Sequence, residues 1–377
     1  MPPDGPPRVL LAPDKFKGSS TAPEVAAALG RGLRAARPDL VVDEVPVADG
    51  GDGTLDAAVA GGFTLVPTTA AGPTGEPVRT AYARRGDVAV VEMAAVCGLG
   101  LLPGGVPAPM TATSRGVGEV VRRAVDDGCR RVLVGIGGSA STDGGAGLLV
   151  GLGAVVRDGD GRPVPEGGDG LRDARVLDLS GLPAGFAEVE LAVACDVDNP
   201  LLGPHGAAAV YGPQKGAVAE QVVALDHALG VWADVLARAV GTDHRDGAGS
   251  GAAGGVGLAL LALGADLSPG IDLVLDLVGF DDRLVGADLV VVGEGALDEQ
   301  TLRGKAPAGV AARATAAGVP VVAVCGRRDL SDDDARRLGV VAVHALTDLE
   351  PDPDVCVRDA AALLERLAPR VLASLPA

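Results

Sequence analysis

Apolar and polar positions alternate along the chain between short Val- and Leu-rich runs and Ala-rich stretches with helical spacing. Near the amino terminus, Arg8–Ala12 is an apolar run, Ser19–Ala36 follows with helical periodicity, and Val41–Val47 is the next apolar run. Thr21 and Glu24 are spaced as in a capping box, which marks the start of a helix. This part of the chain therefore predicts strand, helix, strand.

The same alternation returns near the carboxyl terminus. Asp288–Val292 and Val319–Val324 are predicted strands, and a helix between them begins at Ala306-Pro307 and ends at Gly318. Proline in the first turn and glycine after the last turn are the usual signals of helix ends. Continuous apolar runs that alternate with helices are typical of parallel strands covered by helices on both faces.

The middle of the chain has a different pattern. Val78–Tyr82 and Asp87–Met93 alternate in polarity around a short turn, which predicts a hairpin. Arg131–Ile136 is a buried strand by its composition, and Ser114–Asp127 and Val218–Val240 have helical periodicity.

At 377 residues the chain is long enough for two domains, since domains average roughly 100–200 residues. We expect an α/β protein in which residues 1–66 and 285–377 form a discontinuous Rossmann-like domain with a parallel sheet. Residues 67–284 would form an inserted α/β domain.

Composition excludes several classes of function. Aromatic residues are only 2%, so base stacking cannot drive binding, and the net charge of −18 argues against nucleic acid and anionic membranes as partners. The uncharged stretch Met93–Ser114 contains three prolines and Gly247–Ala265 is mostly Gly and Ala, so neither is expected to span a bilayer.

Cysteine usage and the first residues favour a cytoplasmic protein. The five cysteines never form a CxxC pair, and they resemble small buried apolar residues in a reducing compartment. The first residues lack the basic and apolar regions of a signal peptide. The four histidines are scattered, which argues against a histidine zinc site. We expect a cytoplasmic monomer or homodimer.

The strongest local signal is the Gly-rich segment that follows strand Arg131–Ile136 and leads into a predicted helix at Leu148–Leu152. Such a turn exposes backbone amides at a helix N-terminus, where an anion binds favourably. The segment also carries the hydroxyls of Ser139, Ser141 and Thr142 and the carboxyl of Asp143. Asp143 could bind Mg²⁺ or accept a proton; the alternative is a tight turn with Asp143 as helix cap.

A second glycine-rich segment, Gly249–Gly254, matches GxGxxG. It does not follow a predicted strand, and the acidic residue that binds ribose in dinucleotide sites is missing, which argues against NAD. An anion site at the start of a helix over Gly255–Leu263 and close helix packing both remain possible. The P-loop motif and the HRD and DFG motifs of protein kinases are absent from the sequence.

Three carboxylate pairs follow predicted strands, at the end of a parallel sheet where ligands bind. They are Asp49 with Asp52, Asp196 with Asp198, and Glu294 with Asp298. Oxygen ligands suit Mg²⁺ better than zinc. Each pair taken alone can equally be a solvated turn.

Lysine is rare in this sequence: the chain has 28 arginines and only four lysines, Lys15, Lys17, Lys215 and Lys305. All four lie in loops punctuated by Gly or Pro. A compact ammonium is often used at phosphate sites, so we interpret the four as anion ligands rather than as chance survivors.

Taken together, these segments resemble the type-1 glycerate kinases, bacterial enzymes that phosphorylate glycerate with ATP. The resemblance spans about residues 8–330 in the family's order. The matching segments are Ala12–Gly18, Val47–Thr54, Glu92–Ala95, Ala112–Glu119, Ile136–Gly145, Cys195–Leu201, Gly212–Gly216, Gly251–Gly255 and Gly293–Pro307. One departure is Ala296, where a basic residue would be expected.

The resemblance implies a two-domain α/β fold, ATP as cosubstrate, Mg²⁺ as cofactor and 2-phosphoglycerate as the product from D-glycerate. Within it we expect Asp143 as the general base, with Asp49 as second choice. Asp196 and Asp198 are the candidates for Mg²⁺.

The remaining candidates are assigned to anions. Lys215 and the hydroxyl residues Ser139, Ser141 and Thr142 would contact the transferring phosphate or the substrate. The expected ligand of Lys15 and Lys17 is the glycerate carboxylate. ATP would be contacted by Glu294, Asp298 and Lys305.

Four alternatives remain open on the sequence. The motifs do not separate a glycerate kinase from a kinase for another small hydroxy acid, nor 2-phosphorylation from 3-phosphorylation. An NAD-dependent oxidoreductase is disfavoured by the misplaced GxGxxG segment. A non-catalytic sensor would be expected to lack the paired carboxylates and the lysine loops.

Overall fold

The computed structural model describes residues 5–375, with Arg303 described by its backbone alone. The strands are β1 (Arg8–Pro13), β2 (Val41–Glu44), β3 (Thr64–Ala71), β4 (Pro77–Arg85), β5 (Val88–Glu92), β6 (Arg131–Gly135), β7 (Val155–Arg157), β8 (Val176–Asp178), β9 (Glu190–Ala194), β10 (Asp266–Ser268), β11 (Leu289–Leu297), β12 (Val321–Arg328) and β13 (Val340–Ala345). The helices are α1 (Ala22–Ala36), α2 (Thr54–Ala60), α3 (Ala94–Cys97), α4 (Arg115–Asp126), α5 (Ala146–Leu152), α6 (Ala207–Tyr211), α7 (Ala219–Val240), α8 (Ala252–Ala262), α9 (Gly270–Leu277), α10 (Phe280–Leu284), α11 (Ala306–Ala316), α12 (Asp332–Arg337), α13 (Pro353–Arg358) and α14 (Ala360–Leu372).

The chain divides into two compact units. The first consists of the described residues of Met1–Asp49, Asp56–Gly62 and Ile271–Ala377, and the second of Gly50–Leu55 and Phe63–Gly270. These limits differ from the predicted boundaries at 66/67 and 284/285. The chain returns to the first unit earlier because α9 and α10 contribute to its core, and it enters the second unit earlier because β3 pairs with β4.

The sheet of the first unit is parallel throughout, with the order β13-β12-β11-β1-β2. Renumbered within the unit, this is the 2-1-3-4-5 order of a doubly wound fold. The apolar face of α1 packs with α14 on one side of the sheet, and α9, α10 and α11 cover the other side. The expected parallel sheet with helices on both faces is therefore confirmed.

Local signals fix the ends of several elements of this unit. The α1 capping box forms, with the Glu24 amide donating to Thr21 Oγ1 at 3.4 Å and the Thr21 amide donating to Glu24 Oε2 at 2.9 Å. Strand β2 ends at Glu44 rather than at the predicted Val47. Its continuation still pairs in part, since the amides of Val45 and Val47 donate to carbonyls of β1, but Pro46 lacks an N–H.

The second unit contains a six-stranded mixed sheet in the order β10-β9-β6-β5-β4-β3. Strands β10, β9, β6 and β5 are parallel, and β5 pairs with β4 antiparallel, which confirms the predicted hairpin. The carboxyl ends of β6 and β9 are adjacent, with Gly135 paired to Ala194. The Gly-rich segment and the Asp196–Asp198 loop therefore follow neighbouring strands. None of the helices described between residues 5 and 375 is both long and apolar enough to cross a bilayer.

Candidate active site

The Gly-rich segment forms a tight, braced turn between β6 and α5. Gly144 and Gly145 have φ values of +62° and +71°, which a residue with a side chain adopts only at a cost. The Gly144 carbonyl accepts from Trp232 Nε1 at 2.9 Å, and its amide donates to the Gly254 carbonyl at 3.0 Å. Helix α5 begins at Ala146, before the predicted Leu148.

The side chain of Lys215, from a later part of the chain, is enclosed by this turn. Its side chain is 2% exposed, and its ammonium donates to Ser139 Oγ at 2.8 Å and to the Ser141 carbonyl at 2.5 Å. Burial lowers the pKa of Lys215 to about 7, and the charge of Asp143 acts in the opposite direction. A buried ammonium that is bound only by neutral oxygens favours an anionic ligand.

Two hydroxyls of the turn also indicate a polar ligand. Ser141 Oγ and Thr142 Oγ1 are buried and have no hydrogen-bond partner among the described residues. A buried hydroxyl without a partner costs about 1–3 kcal/mol, so such groups in a folded protein call for an explanation. Oxygens of a bound ligand are partners that such hydroxyls can use. We refer to Lys215, Ser139, Ser141 and Thr142 as the lysine cradle.

The second glycine-rich segment closes the cradle. Ala253, Gly254 and Gly255 are successively left-handed, so the regular part of α8 begins after the predicted Gly255. Ala253 is the sole non-glycine residue with positive φ, +52°, in the described chain. A side chain on Gly254 would collide with the Ser141 carbonyl and lie 2.9 Å from the Lys215 ammonium. This approach explains why the segment carries glycine.

Asp143 does not occupy the position expected of a general base. Its side chain has no exposed surface, and its carboxyl accepts from the amides of Ser114, Gly145 and Gly147 at 2.8, 3.1 and 3.3 Å. The Ser114 hydroxyl also donates to it, at 2.9 Å to the nearer oxygen. Because every oxygen is engaged inside the protein, the geometry supports a positioning role and gives no support to substrate contact by Asp143.

The carboxylates proposed for Mg²⁺ lie in the loop after β9. Asp196 and Asp198 are both exposed, and Asp196 Oδ1 accepts from the Gly270 amide at 2.7 Å. No cluster of three or more metal-ligating side chains occurs in the described part of the chain. An exposed pair of oxygen ligands nevertheless fits Mg²⁺, which is commonly held by one or two carboxylates together with substrate phosphates and water.

A second cluster of charges lies in the first unit, where β1 and β11 end side by side. Asp14 is 7% exposed, and its Oδ1 accepts from the Lys15 amide at 2.6 Å and lies 3.7 Å from the Lys15 ammonium. Burial raises the pKa of Asp14 to about 6, with Asp49 raising it further and the lysines Lys15 and Lys305 lowering it. A carboxyl poised near neutral pH is suited to accepting a proton.

Glu294 completes this second cluster. It is 5% exposed, it accepts from the Thr301 hydroxyl, and its Oε2 lies 3.8 Å from the Lys305 ammonium. Burial raises the pKa of Glu294 to about 7, and the nearby charges of Asp14 and Asp298 add to that shift. The loop is ordered by the Thr301 hydroxyl, which accepts from the Asp298 amide at 3.2 Å. We refer to Asp14, Lys15, Asp49, Glu294, Asp298 and Lys305 as the switch-point cluster.

The structure groups the predicted residues differently from the sequence. Lys15 and Lys305, which were given different ligands, belong to one cluster, whereas Lys17 on the same loop is exposed. The cluster lies where the strand order reverses between β1 and β11, the usual ligand site of a doubly wound sheet. Sequence reasoning gave no role to Asp14 or Ser114, although both lie in the segments on which the family resemblance rests.

Comparison with known proteins shows the family to which the chain belongs. The model of the glycerate kinase family matches residues 9–376. The chain belongs to the glycerate kinase family. The resemblance inferred from the sequence, and with it the expectation of an enzyme of this kinase family, is confirmed.

Relatives from several bacteria support the family assignment. The chain is 42% identical to the glycerate kinase of Bacillus subtilis over 98% of this chain and 97% of that protein, and 41% identical to the glycerate 2-kinase of Escherichia coli over 90% and 88%. A crystal structure assigned to glycerate kinase 2 of Salmonella typhimurium LT2 superposes with a TM-score of 0.83 at 39% identity, covering 97% of this chain and 98% of that one. The glycerate kinase fold therefore extends over nearly the whole chain.

Proposed function

We propose that this protein transfers the terminal phosphoryl group of ATP to the 2-hydroxyl of D-glycerate, forming 2-phosphoglycerate and ADP. The observation that carries the proposal is the lysine cradle, a buried ammonium beside two unpaired hydroxyls in a member of the glycerate kinase family. The Escherichia coli relative is named a glycerate 2-kinase, which supports the 2-position.

The lysine cradle takes the carboxylate of glycerate. Its donors are one ammonium and the hydroxyls of Ser139, Ser141 and Thr142, a set that can neutralise a single small anion without a second cation. The enclosed position strengthens each of these interactions relative to water. A small apolar substrate would leave the same groups unsatisfied, so we expect a preference for acids.

The switch-point cluster binds the phosphates of the nucleotide and supplies the proton acceptor. Lys15 and Lys305 contact the phosphates of ATP, since ammonium groups at the reversal of a doubly wound sheet suit polyphosphate. Asp14, with Asp49 beside it, is the proton acceptor that we assign within this cluster, because burial raises its pKa to about 6. This assignment replaces Asp143 as first choice.

Asp196 and Asp198 would hold Mg²⁺ together with phosphate oxygens. The ion would supply positive charge to the phosphoryl oxygens when bound. The hydrogen bond from the Gly270 amide fixes Asp196 in the orientation that the loop presents.

Coupling the reaction directly to enolase, without a mutase, tests the proposal. Phosphoenolpyruvate should form from D-glycerate and MgATP. Formation of ADP without phosphoenolpyruvate would instead indicate 3-phosphorylation. A panel of other small hydroxy acids decides between glycerate and a related substrate, and the absence of ADP from every one of them would refute the kinase proposal.

A further inference from the structure

Asp143 and Lys215 are an acid and a base enclosed in the same small region of the second unit. The two side chains are 0% and 2% exposed. Lys215 donates to the carbonyl of Ser141, two residues before Asp143 in the same turn. Within the described chain, the charged group that acts on the Lys215 ammonium is Asp143.

The surroundings of Asp143 are those of an ionised carboxylate. Three backbone amides and the Ser114 hydroxyl donate to its two oxygens. Burial raises the pKa of Asp143, and all of these donors act against that shift. Ser114 Oγ in turn accepts from the Leu148 amide at 2.9 Å, so the hydroxyl is oriented to donate to the carboxylate.

Other charged groups near this site pair among themselves. Arg115, at the start of α4, binds Glu119 at 3.4 Å and Glu166 at 3.0 Å. Burial raises the pKa of the neighbouring Cys97 thiol to about 12, so it stays neutral. Asp143 is therefore the group that balances the buried Lys215 charge.

We propose that Asp143 is a positioning residue that acts as the internal counter-ion of Lys215. Its negative charge increases the fraction of the buried lysine that is protonated near neutral pH, and its hydrogen bonds hold the turn that carries Ser141 and Thr142. It does this without touching the bound anion. The inference rests on the proposed role of the lysine cradle as the carboxylate site.

Removal of the Asp143 charge should weaken anion binding in a pH-dependent way, whereas a structural defect alone should weaken it equally at every pH. In Asp143→Asn the buried Lys215 ammonium is uncompensated, and it releases its proton at a lower pH. At neutral and alkaline pH a larger fraction of the variant than of the wild type must then take up a proton before it binds an anion. We expect affinity to fall at least tenfold relative to wild type at pH 8, and to stay within threefold at pH 5.5.

The test is titration calorimetry of D-glycerate and of sulfate, separately and without nucleotide, from pH 5.5 to pH 8.5. Neither anion titrates in this range, so any pH dependence belongs to the protein. Equal loss of affinity at every pH in Asp143→Asn would overturn the counter-ion role and leave a structural one. Failure of the wild-type protein to bind either anion at any pH would instead refute the cradle itself.

Two variants serve as controls. Ser114→Ala removes one hydrogen bond to Asp143 while three backbone amides still donate to it. The melting temperature should therefore fall, while the pH profile of binding should change much less than in Asp143→Asn. Asp127→Asn changes another hydrogen-bonded carboxylate of the same unit, bound by Tyr82 at 2.7 Å and Arg123 at 2.8 Å, and should leave anion affinity unaltered.

A measurement on the wild-type protein covers the case in which Asp143→Asn does not fold. Carbon-13 NMR of the aspartate carboxyls, with the Asp143 signal assigned by selective labelling, reports its ionisation directly. An ionised Asp143 between pH 6 and pH 8 is expected. A protonated Asp143 at pH 7 would remove the counter-ion and overturn the proposal.

Discussion

The ammonium of Lys215 lies 2.8 Å from the hydroxyl of Ser139, and both groups are enclosed by a turn built from glycines. The second hydrogen-bond acceptor of the ammonium among the described residues is the Ser141 carbonyl. An ammonium held in this way can bind an anion, and its enclosure leaves little space for the larger guanidinium of an arginine.

Replacement of Lys215 by arginine should therefore lower activity although the charge is kept. The planar guanidinium is wider than an ammonium, and a misplacement of ~1 Å can cost on the order of 10²-fold in rate. We expect kcat/KM for glycerate to fall at least ~10-fold, about 1.4 kcal/mol. Steady-state kinetics check this, and activity within about threefold of wild type would show that the cradle does not contact substrate.

Lys15 and Lys17 offer a matched pair on one loop. Lys15 is half-buried in the switch-point cluster, whereas Lys17 is exposed. Lys15→Arg should lower kcat/KM at least ~10-fold, chiefly through the KM for ATP, and Lys17→Arg should be nearly silent. The reverse order would assign the anion contact to Lys17. Lys305→Arg should behave as Lys15→Arg does, because the two ammonium groups share a cluster.

The fold was largely predictable because its signals are local. Apolar runs end at glycine or proline, and a capping box at Thr21 marks the start of α1, so element types follow from neighbouring residues. The largest differences are at ends that depend on distant contacts. Helices α9 and α10 belong to the first unit because residues such as Ile271 and Phe280 pack into its core. The local sequence of these helices does not reveal that packing.

The sequence was enough to predict which residues belong to the candidate site, but not the role of each residue. A Gly-rich turn gives the same local signal whether its aspartate faces a ligand or caps a helix, and Ser114, which decides between these for Asp143, is remote in sequence. Likewise Asp14 meets Glu294 only because β1 and β11 are adjacent, with the Asp14 amide donating to the Gly293 carbonyl at 2.8 Å. Strand order carries that information, and single motifs do not.

Asp14→Asn should abolish most of the activity. It should also remove the fall of kcat at acid pH. The base must be deprotonated, so in wild type kcat should fall as the pH drops below about 6. Removal of a general base costs about 10²–10⁴-fold in rate. We expect a loss in that range with a flat profile below neutral pH, and a smaller loss for Asp49→Asn. Should Asp49→Asn show the larger loss and Asp14→Asn keep kcat within tenfold, Asp49 is the base.

Glu294→Gln should stabilise the protein at alkaline pH. The Glu294 pKa is about 7 in the folded chain and 4.5 in the unfolded one, so between these values the folded state holds a proton that the unfolded state has released. Its contribution to stability therefore falls as pH rises from about 4.5 to about 7. Glutamine is neutral in both states, and Thr301 can still donate to it.

We expect this variant to gain on the order of 1–3 kcal/mol relative to wild type between pH 4.5 and pH 8. Denaturant titration at the two pH values measures the gain. Glu299→Gln, a neighbouring exposed change, is the control and should show no such difference. A Glu294→Gln protein whose stability follows the wild-type pH profile would place Glu294 in ordinary solvent-like surroundings.

The left-handed segment beside the cradle allows backbone strain to be separated from steric fit. Gly254→Ala and Gly241→Ala both place a side chain at positive φ, +71° and +83°. A side chain at 241 meets nothing within 4 Å, whereas one at 254 meets the Ser141 carbonyl and the Lys215 ammonium. Both should lose the roughly 1–2 kcal/mol that a left-handed residue costs.

Gly254→Ala should lose more, because backbone must move, and should also weaken glycerate binding at least tenfold. Ala253→Gly works in the opposite direction: it relieves the strain of φ +52° and should leave the protein as stable or up to about 1 kcal/mol more stable. Thermal unfolding and glycerate titration of the three variants measure both effects. Equal losses of stability for Gly254→Ala and Gly241→Ala, with unchanged glycerate affinity, would show that the segment does not form part of the cradle wall.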